Sequence, residues 1–534
     1  MKYKILKAID ISGLNFLSPV VRLIAQEDPR KQLHEIGRFI IVPIVAFAAF
    51  LFLWSALAPK HRTKAGEVPT PGVVWDASKG VWLFHKRETA KADAYLMNSA
   101  ERRKTLQQAT TRLARLDALE AEANRQISDI KAASKEKFDA YVAPSKTAYD
   151  AKRAEFRTAK INRENSLKEK AALLATQGTD ARIAYLARIR ENAVTTEQEK
   201  EQLKLLKTTY TEAQTKTFPE VKKAQQAITK LAEERQFLSK YSEMLGAGSR
   251  ESKTTESESL LAESKNKFLT ATDGDFYRLG NTVVKSEDLL ATTETSHYAK
   301  PWTLPKQIVR SLLCVFTGFL VASAIAIPIG ILCGLSPTFM AAMTPFIALF
   351  KPVSPLVWLP IIMIIVGGFM PEPENHWLVK ALDHVPILKN YKVDPMFLSS
   401  ALTVALCSLW ATLVNTALGV ASIEKDHLNV AKVLRLGFTA RLFKIVIPTA
   451  LPLIFAGLRI SLAVGWMVLV AAEILSTSQG IGKFVNDMYT NGSSESFAQM
   501  FVVVFIVGII GMFLDRIMII FQRLVSFDTA GSAI

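Results

Sequence analysis

Two cations stand where the surrounding sequence is almost wholly apolar: Lys351, in FKPVSPLVWLP, and Arg459, in FAGLRISLAVGW. A charge in hydrocarbon is costly, so such a side chain faces a cavity or a partner, or snorkels to the interface from a span end. Lys351 is followed by Pro352, Pro355, Trp358 and Pro360, which together read as a broken helix lining a path. Cations on such a path suit a small anion; snorkelling is the alternative for each. Glu473 lies near the end of another apolar run and reads as a capping or pairing group, and no residue is assigned a catalytic role. QGIGKF, residues 479–484, has part of a phosphate loop but lacks the upstream glycine and a Ser or Thr after Lys483. The chain is therefore not expected to hydrolyse ATP or to be an enzyme. Its seven histidines are scattered, and no Ser/His/Asp arrangement or carboxylate pair stands out. The three cysteines, Cys314, Cys333 and Cys407, lie in apolar segments and read as packing residues, with no metal ligand set.

The elements that must position these residues come from two chemistries joined in one chain of 534 residues. Residues 309–523 are dominated by apolar runs, whereas residues 86–270 are charged, Ala-rich and almost free of Gly and Pro. A net charge of +16 alone would fit nucleic acid, but long apolar spans make cations serve orientation and partner contacts. Stretches of about 20 apolar residues fall at 39–58, 309–334, 338–368, 396–421, 450–475 and 498–523, the third interrupted by prolines. The N-terminal segment 1–38, the loop 422–449 and the tail 524–534 are basic and fall on one side, assigned to the cytoplasm. The expectation is a multi-pass protein of the bacterial inner membrane, with residues 59–308 inserted on the periplasmic side. In LSPVVRLIA, Ser18 reads as a cap and Pro19 as the first turn of an interfacial helix, the alternative being an unstructured leader.

Within the insertion, about 87–270, Leu106, Ala109, Leu113, Leu116, Ala123, Ile127 and Ile130 approximate a heptad seam. A hairpin turning near Gly178 would have arms of roughly 130 Å if continuous, with Pro144 and Pro219, at similar distances from the turn, kinking or breaking the arms so that any breaks fall side by side. It reads either as a solvated spacer or as an arm that binds another protein. DGDFYRLGNTVVK, residues 273–285, has turn signals and short apolar runs and reads as a small strand pair.

The loop NVAKVLRLGFTARLFKIVIPTALP, residues 429–452, is a basic amphipathic stretch between two spans. Val430, Val433 and Leu434 form an apolar face, with Lys432, Arg435 and Arg441 towards solvent or carboxylates. On its own it could simply fix topology. It also resembles the EAA-x3-G-x9-I-x-L-P motif of ABC importer permeases, matching at Ala431, Ile445 and Pro448 with Ile447 for Leu. It departs at Asn429, Val430 and Arg435, where the motif has Glu, Ala and Gly. VPTPGVVW, FKPVSPLVWLPIIMIIVGG, PTALPLIFAGLRISLAVGWMVLVAAEIL and GIGKFV resemble the nitrate/bicarbonate/taurine/sulfonate branch of these permeases. The resemblance covers residues 39–78 and about 302–526, not the helical insertion.

The resemblance implies a permease subunit working as a dimer, an external solute-binding protein, and ATPase subunits that bind ATP and Mg while this chain binds no cofactor. It makes Asn429, Val430, Ala431, Lys432, Val433, Leu434, Arg435, Ile445 and Pro448 the contact with the ATPase. Lys351, Pro352, Pro355, Trp358 and Arg459 are the candidate substrate path. The expected fold is all-α: a polytopic membrane protein of about six spans, five of them in a core at 309–523, with a long coiled-coil hairpin inserted. The competing class is a periplasmic adaptor acting through its hairpin, against which stand the five further spans and the lack of Gly-rich strands flanking it.

Overall fold

A computed structural model describes the chain except residues 1–2, 4, 7–8, 10–14, 64–65, 175–177, 216–218, 273–274, 374–375, 384–393, 425, 427–432 and 526–534. In chain order the helices are α1 (Ser18–Ile24), α2 (Pro29–Lys60), α3 (Pro71–Leu96), α4 (Ser99–Leu173), α5 (Thr179–Thr215), α6 (Pro219–Leu245), α7 (Arg250–Thr270) and α8 (Phe276–Glu294). Then follow α9 (Leu304–Leu335), α10 (Pro337–Phe350), α11 (Pro355–Phe369), α12 (Trp377–Asp383), α13 (Pro395–Ala421), α14 (Phe438–Ser476), α15 (Ile481–Asn491) and α16 (Ser494–Val525). Apart from a two-residue antiparallel ladder, Arg62–Thr63 with Gly66–Glu67, the described residues form an all-α protein. Two compact units divide the chain, one of Met1–Thr89 with Lys300–Ile534 and one of Ala90–Ala299.

In the first unit five described helices, α2, α9, α13, α14 and α16, are long and apolar enough to cross a membrane. The α10–α11 pair makes six if it counts as one span, but it is bent by 100°. The sequence explains the bend: Pro352 and Pro355 flank a break, and Ser354 accepts from the Leu356 amide (3.3 Å) to start α11 afresh. Two other prolines are absorbed differently. Wide helical turns at Gly37–Ile41 and Leu442–Val446 each end two residues before a proline, Pro43 and Pro448. Widening the ladder there accommodates the carbonyl that a proline ring would otherwise strike.

The core of this unit is α13 packed between α9 and α14. Small residues permit the approach. A Cβ at Gly318 would lie 2.5 Å from the Ala401 carbonyl oxygen, and one at Gly330 would lie 2.7 Å from the Thr416 Cβ. Helices in lipid gain little from apolar burial against one another, so close backbone packing and hydroxyl pairs take over. Accordingly, Thr412 and Ser461 share a hydrogen bond of 2.7 Å, and Ser461 also donates to the Ser408 carbonyl (2.5 Å). To one side, Trp54 of α2 stacks on Phe501 and Phe505 of α16, at 5.6 and 5.8 Å. Val74 and Ala77 of α3 pack with Ala498 and Val502 of the same helix.

The second unit holds two hairpins. In the first, α4 packs against both α5 and α6. At about 1.5 Å per residue its 75 residues extend roughly 110 Å. All seven seam residues from Leu106 to Ile130 are buried or half-buried. Pairing runs the length of the hairpin: Arg112 with Glu234, Arg235 with Asp117, Tyr149 stacked on Tyr210 at 6.1 Å, and the Tyr185 hydroxyl donating to the Leu167 carbonyl at 2.9 Å. The second hairpin is α7 with α8, tied by Lys265–Glu287 (2.8 Å) and Ser264–Ser286 (3.2 Å). Its base meets the start of the unit, where the Tyr95 hydroxyl lies 2.6 Å from Ser296 Oγ.

Three expectations are corrected. Residues 276–285 are helical, not a strand pair: the Asp275 side chain accepts from the Arg278 amide (3.1 Å), so the turn signal is a helix cap. Pro144 does not break its arm, since α4 runs through it; Pro219 opens α6, and residues 216–218 before it lie outside the described residues. Ser18 is the first helical residue of α1, and the cap position is Leu17 with no side-chain hydrogen bond.

Candidate transport path and coupling segment

Two polar assemblies are built into the first unit. The first closes the end of the α9–α13–α14 core. Glu473, 1% exposed, accepts from Ser311 Oγ (2.7 and 2.9 Å) and from the Gly482 amide (3.0 Å), while the Ile481 amide donates to Ser311 (2.9 Å). The start of α15 is thereby bound to the end of α14. Glycine is required there: a Cβ at Gly480 would sit 2.1 Å from the Glu473 carboxylate. Beside it, the buried Arg310 donates to Asp394 (2.8 Å), the residue that also caps α13 through the Phe397 amide (2.7 Å). The Glu473 carboxylate is committed to structure, in line with the capping or pairing role read for it, while the buried Arg310 Nε has no hydrogen-bond partner among the described residues.

The second assembly holds Arg459, a residue of the candidate path. Arg459 of α14 makes a two-pronged contact with Asp515 of α16, Nε to Oδ1 at 2.5 Å and Nη2 to Oδ2 at 2.9 Å. The pair lies on a cleft of about 370 Å³ lined by Ala456, Ile460, Ala463, Val464 and Gln522 as well. Both side chains remain part-exposed, 40% and 35%. A charged pair on the open side of two spans is poorly suited to lipid and calls for a cavity or protein cover. Asp515 is a residue that sequence reading missed. Its signal was the one that found Arg459: a charge inside an apolar run, here GMFLDRIMII.

Lys351 and its companions occupy a different place, the α10–α11 bend, and are not among the described residues lining that cleft. Lys351 caps the C-terminal end of α10, is exposed, and has no ion-pair partner among the described residues. Pro352 follows it in the break and Pro355 opens α11. Phe350 packs between Trp358 (centroids 5.7 Å apart) and Trp410 of α13 (6.2 Å). The bend thus rests on an aromatic bearing against the core.

Of the loop residues, Asn429, Val430, Ala431 and Lys432 lie outside the described residues. Val433 and Leu434 are exposed, 82% and 63%, an apolar pair without cover. Arg435 has φ +50°, in the left-handed region, and Gly437 caps the start of α14. Position 435 is where the permease motif places glycine, and the backbone there takes an angle that favours glycine although the residue is arginine, at a strain of order 1 kcal/mol. Ile445 is half-buried in the wide turn, and Pro448 is exposed just after it.

Five or six spans, a broken helix beside them and a charged pair on an open cleft define a polytopic membrane transport component. Residues 326–527 match the family described as the binding-protein-dependent transport system inner membrane component. The chain is 32% identical over 220 residues to the nitrate import permease protein NrtB of Synechococcus elongatus, covering 41% of this chain and 69% of that one. It is 33% identical over 221 residues to the bicarbonate transport system permease protein CmpB of Synechocystis sp., covering 41% and 68%. It is also 32% identical over 183 residues to the taurine transport system permease protein TauC of Escherichia coli, covering 34% and 57%. The chain belongs to this family of ABC importer permeases.

Proposed function

We propose that this chain is the permease subunit of an ATP-driven importer of a small anion of the nitrate, bicarbonate, taurine or other sulfonate class. The observation that carries the reading is the Arg459–Asp515 contact on an open cleft of two helices apolar enough to cross a membrane, in a family whose similar members are named for nitrate, bicarbonate and taurine. A guanidinium that grips a carboxylate with two donors is shaped for any oxyanion presenting two oxygens. The substrate anion would exchange with Asp515 for that grip, so Arg459 never stands bare in the membrane. Two copies facing each other across the cleft would give the pair its cover and enclose the path. Lys351, without an ion-pair partner among the described residues, offers a second cation at the bend, and the α10–α11 break is the element that can rock about the aromatic bearing.

ATPase subunits supply the drive. They would bind ATP and Mg, this chain binding no cofactor, and would seat on residues 423–447, where the uncovered Val433 and Leu434 offer an apolar handle. A solute-binding protein would deliver the anion on the periplasmic side of the inner membrane, the side to which the Ala90–Ala299 unit is assigned.

Uptake of labelled nitrate, bicarbonate and taurine into cells making the full complex tests this. The pair Arg459→Gln with Asp515→Asn removes both charges at once, so neither is left buried alone. It should reach the membrane and lose uptake of the anion that the wild type imports. Leu434→Asp should keep the protein in the membrane but separate ATP hydrolysis from uptake, because it puts a charge into an apolar contact. Wild-type cells that import none of the three, or undiminished uptake in the charge-free variant, would remove the reading of the path; intact coupling with Leu434→Asp would remove that of the handle.

A further inference from the structure

The turn end of the α4–α5 hairpin carries side chains that its own unit does not use. Lys168 and Lys170 of α4 and Arg182, Arg188 and Arg190 of α5 are exposed, and none has an ion-pair partner among the described residues. Elsewhere along the hairpin several cations are engaged across it, as Arg163 is with Glu199 (2.8 and 2.6 Å) and Arg112 with Glu234. Beside the five free cations, Leu173, Ile183 and Leu186 are 62%, 63% and 47% exposed. The charge is local. Residues 146–190 hold eleven Lys and Arg against five Asp and Glu, whereas residues 250–294, the second hairpin, hold six against nine.

We infer that this end docks on an anionic lipid surface, its leucines and isoleucine entering the headgroup boundary while the lysines and arginines meet the phosphates. Apolar side chains ringed by cations are the combination that such a surface holds, each part being weak alone. The distribution of the cations selects this occupant. At about 100° per residue, Arg182, Arg188 and Arg190 leave α5 on different sides, and the two lysines leave α4. A shaped protein groove would meet one face; a fluid surface met end-on reaches all of them. A second copy aligned alongside would bring like charges together. The inference stands on the insertion alone and does not depend on which anion is transported.

The test uses the full-length chain in nanodiscs of phosphatidylcholine, mixed with vesicles of phosphatidylcholine alone or of equal parts phosphatidylcholine and phosphatidylglycerol. The wild type should float with the phosphatidylglycerol vesicles, stay behind with the neutral ones, and be released by high salt. Changing Lys168, Lys170, Arg182, Arg188 and Arg190 to Gln should weaken binding roughly a hundredfold or more; all five are exposed, so circular dichroism should be unchanged. Leu173→Ser with Ile183→Ser should weaken binding less and leave its salt dependence in place. The inference falls if the wild type ignores phosphatidylglycerol, binds neutral vesicles equally well, or keeps its binding in the glutamine variant. It falls equally if the glutamine changes abolish self-association of nanodiscs in the absence of vesicles, since the occupant is then a second copy.

Discussion

The α9–α13–α14 core and the α4–α5–α6 hairpin are both all-helical, yet they are held together in opposite ways. Fifteen of the 27 residues of α13 are buried, against four of the 75 in α4, so a typical side chain in the core has neighbours on most sides and one in the arm has few. The core joins helices through glycines and paired hydroxyls at fixed points. The arm joins them through a thin Ala-rich seam and ion pairs spread along its length. A membrane core that gains little from apolar burial must fit closely; an arm in water gains a little at every turn and depends on no single contact. Tolerance to substitution should therefore differ more between these regions than their shared helicity implies.

The largest expected effect is in the core. Gly318→Ala drives a methyl to 2.5 Å from the Ala401 carbonyl oxygen, and should destabilise the protein by about 3 kcal/mol, read as thermal unfolding in detergent. Ala132→Leu, at an exposed position of α4, should change stability by less than about 0.5 kcal/mol. Similar small changes in both would erase the contrast. Next comes the arm's best ion pair. A double-mutant cycle on Arg163 and Glu199 should give a coupling of about 1 kcal/mol or less, shrinking in high salt. A value several times larger would mean that the arm, too, has fixed points.

The smallest effect is a pH dependence where α3 meets the chain before α9. His85 Nδ1 lies 2.8 Å from Thr303 Oγ1. Burial first, and the nearby Lys300 second, hold its pKa below the usual histidine value. The folded protein thus prefers the neutral ring. Its contribution should be fully present above about pH 6.5, the ordinary histidine value, and be lost as pH falls below it, because the unfolded chain takes up the proton first. His85→Gln should flatten that acid limb in a pH series of thermal unfolding; an unchanged limb would assign it to other groups.

Much of this was legible in the sequence, for identifiable reasons. Long apolar runs and the heptad seam repeat over many residues, so a few irregular positions do not hide them. What escaped was whatever depends on one partner. Arg459 was visible as a charge in a span, but that Asp515 holds it required α14 and α16 side by side. Asp275 was misread because the same residue types start turns and cap helices. Pro144 was expected to kink or break its arm because a proline removes one amide and crowds one carbonyl; the neighbouring turns of a 75-residue helix keep it continuous. At Arg435 the motif's glycine is missing from the sequence although the backbone takes an angle that favours glycine, which no reading of residue types could reveal.

The contact between α2 and α16 has a consequence in time. Trp54 is made early, and its stacking partners Phe501 and Phe505 are made more than four hundred residues later. Between them the ribosome must deliver the whole Ala90–Ala299 unit and four other apolar segments. For that interval α2 waits without α16. Its sequence suits the wait: the apolar stretch Val42–Leu57 has no buried residue even in the finished fold, so hydrocarbon alone satisfies it. A helix that needed packing to be stable would be exposed to wrong partners throughout synthesis. This one can be inserted at once, drift alone, and be claimed by α16 when that emerges, which makes α16 the helix that closes this contact.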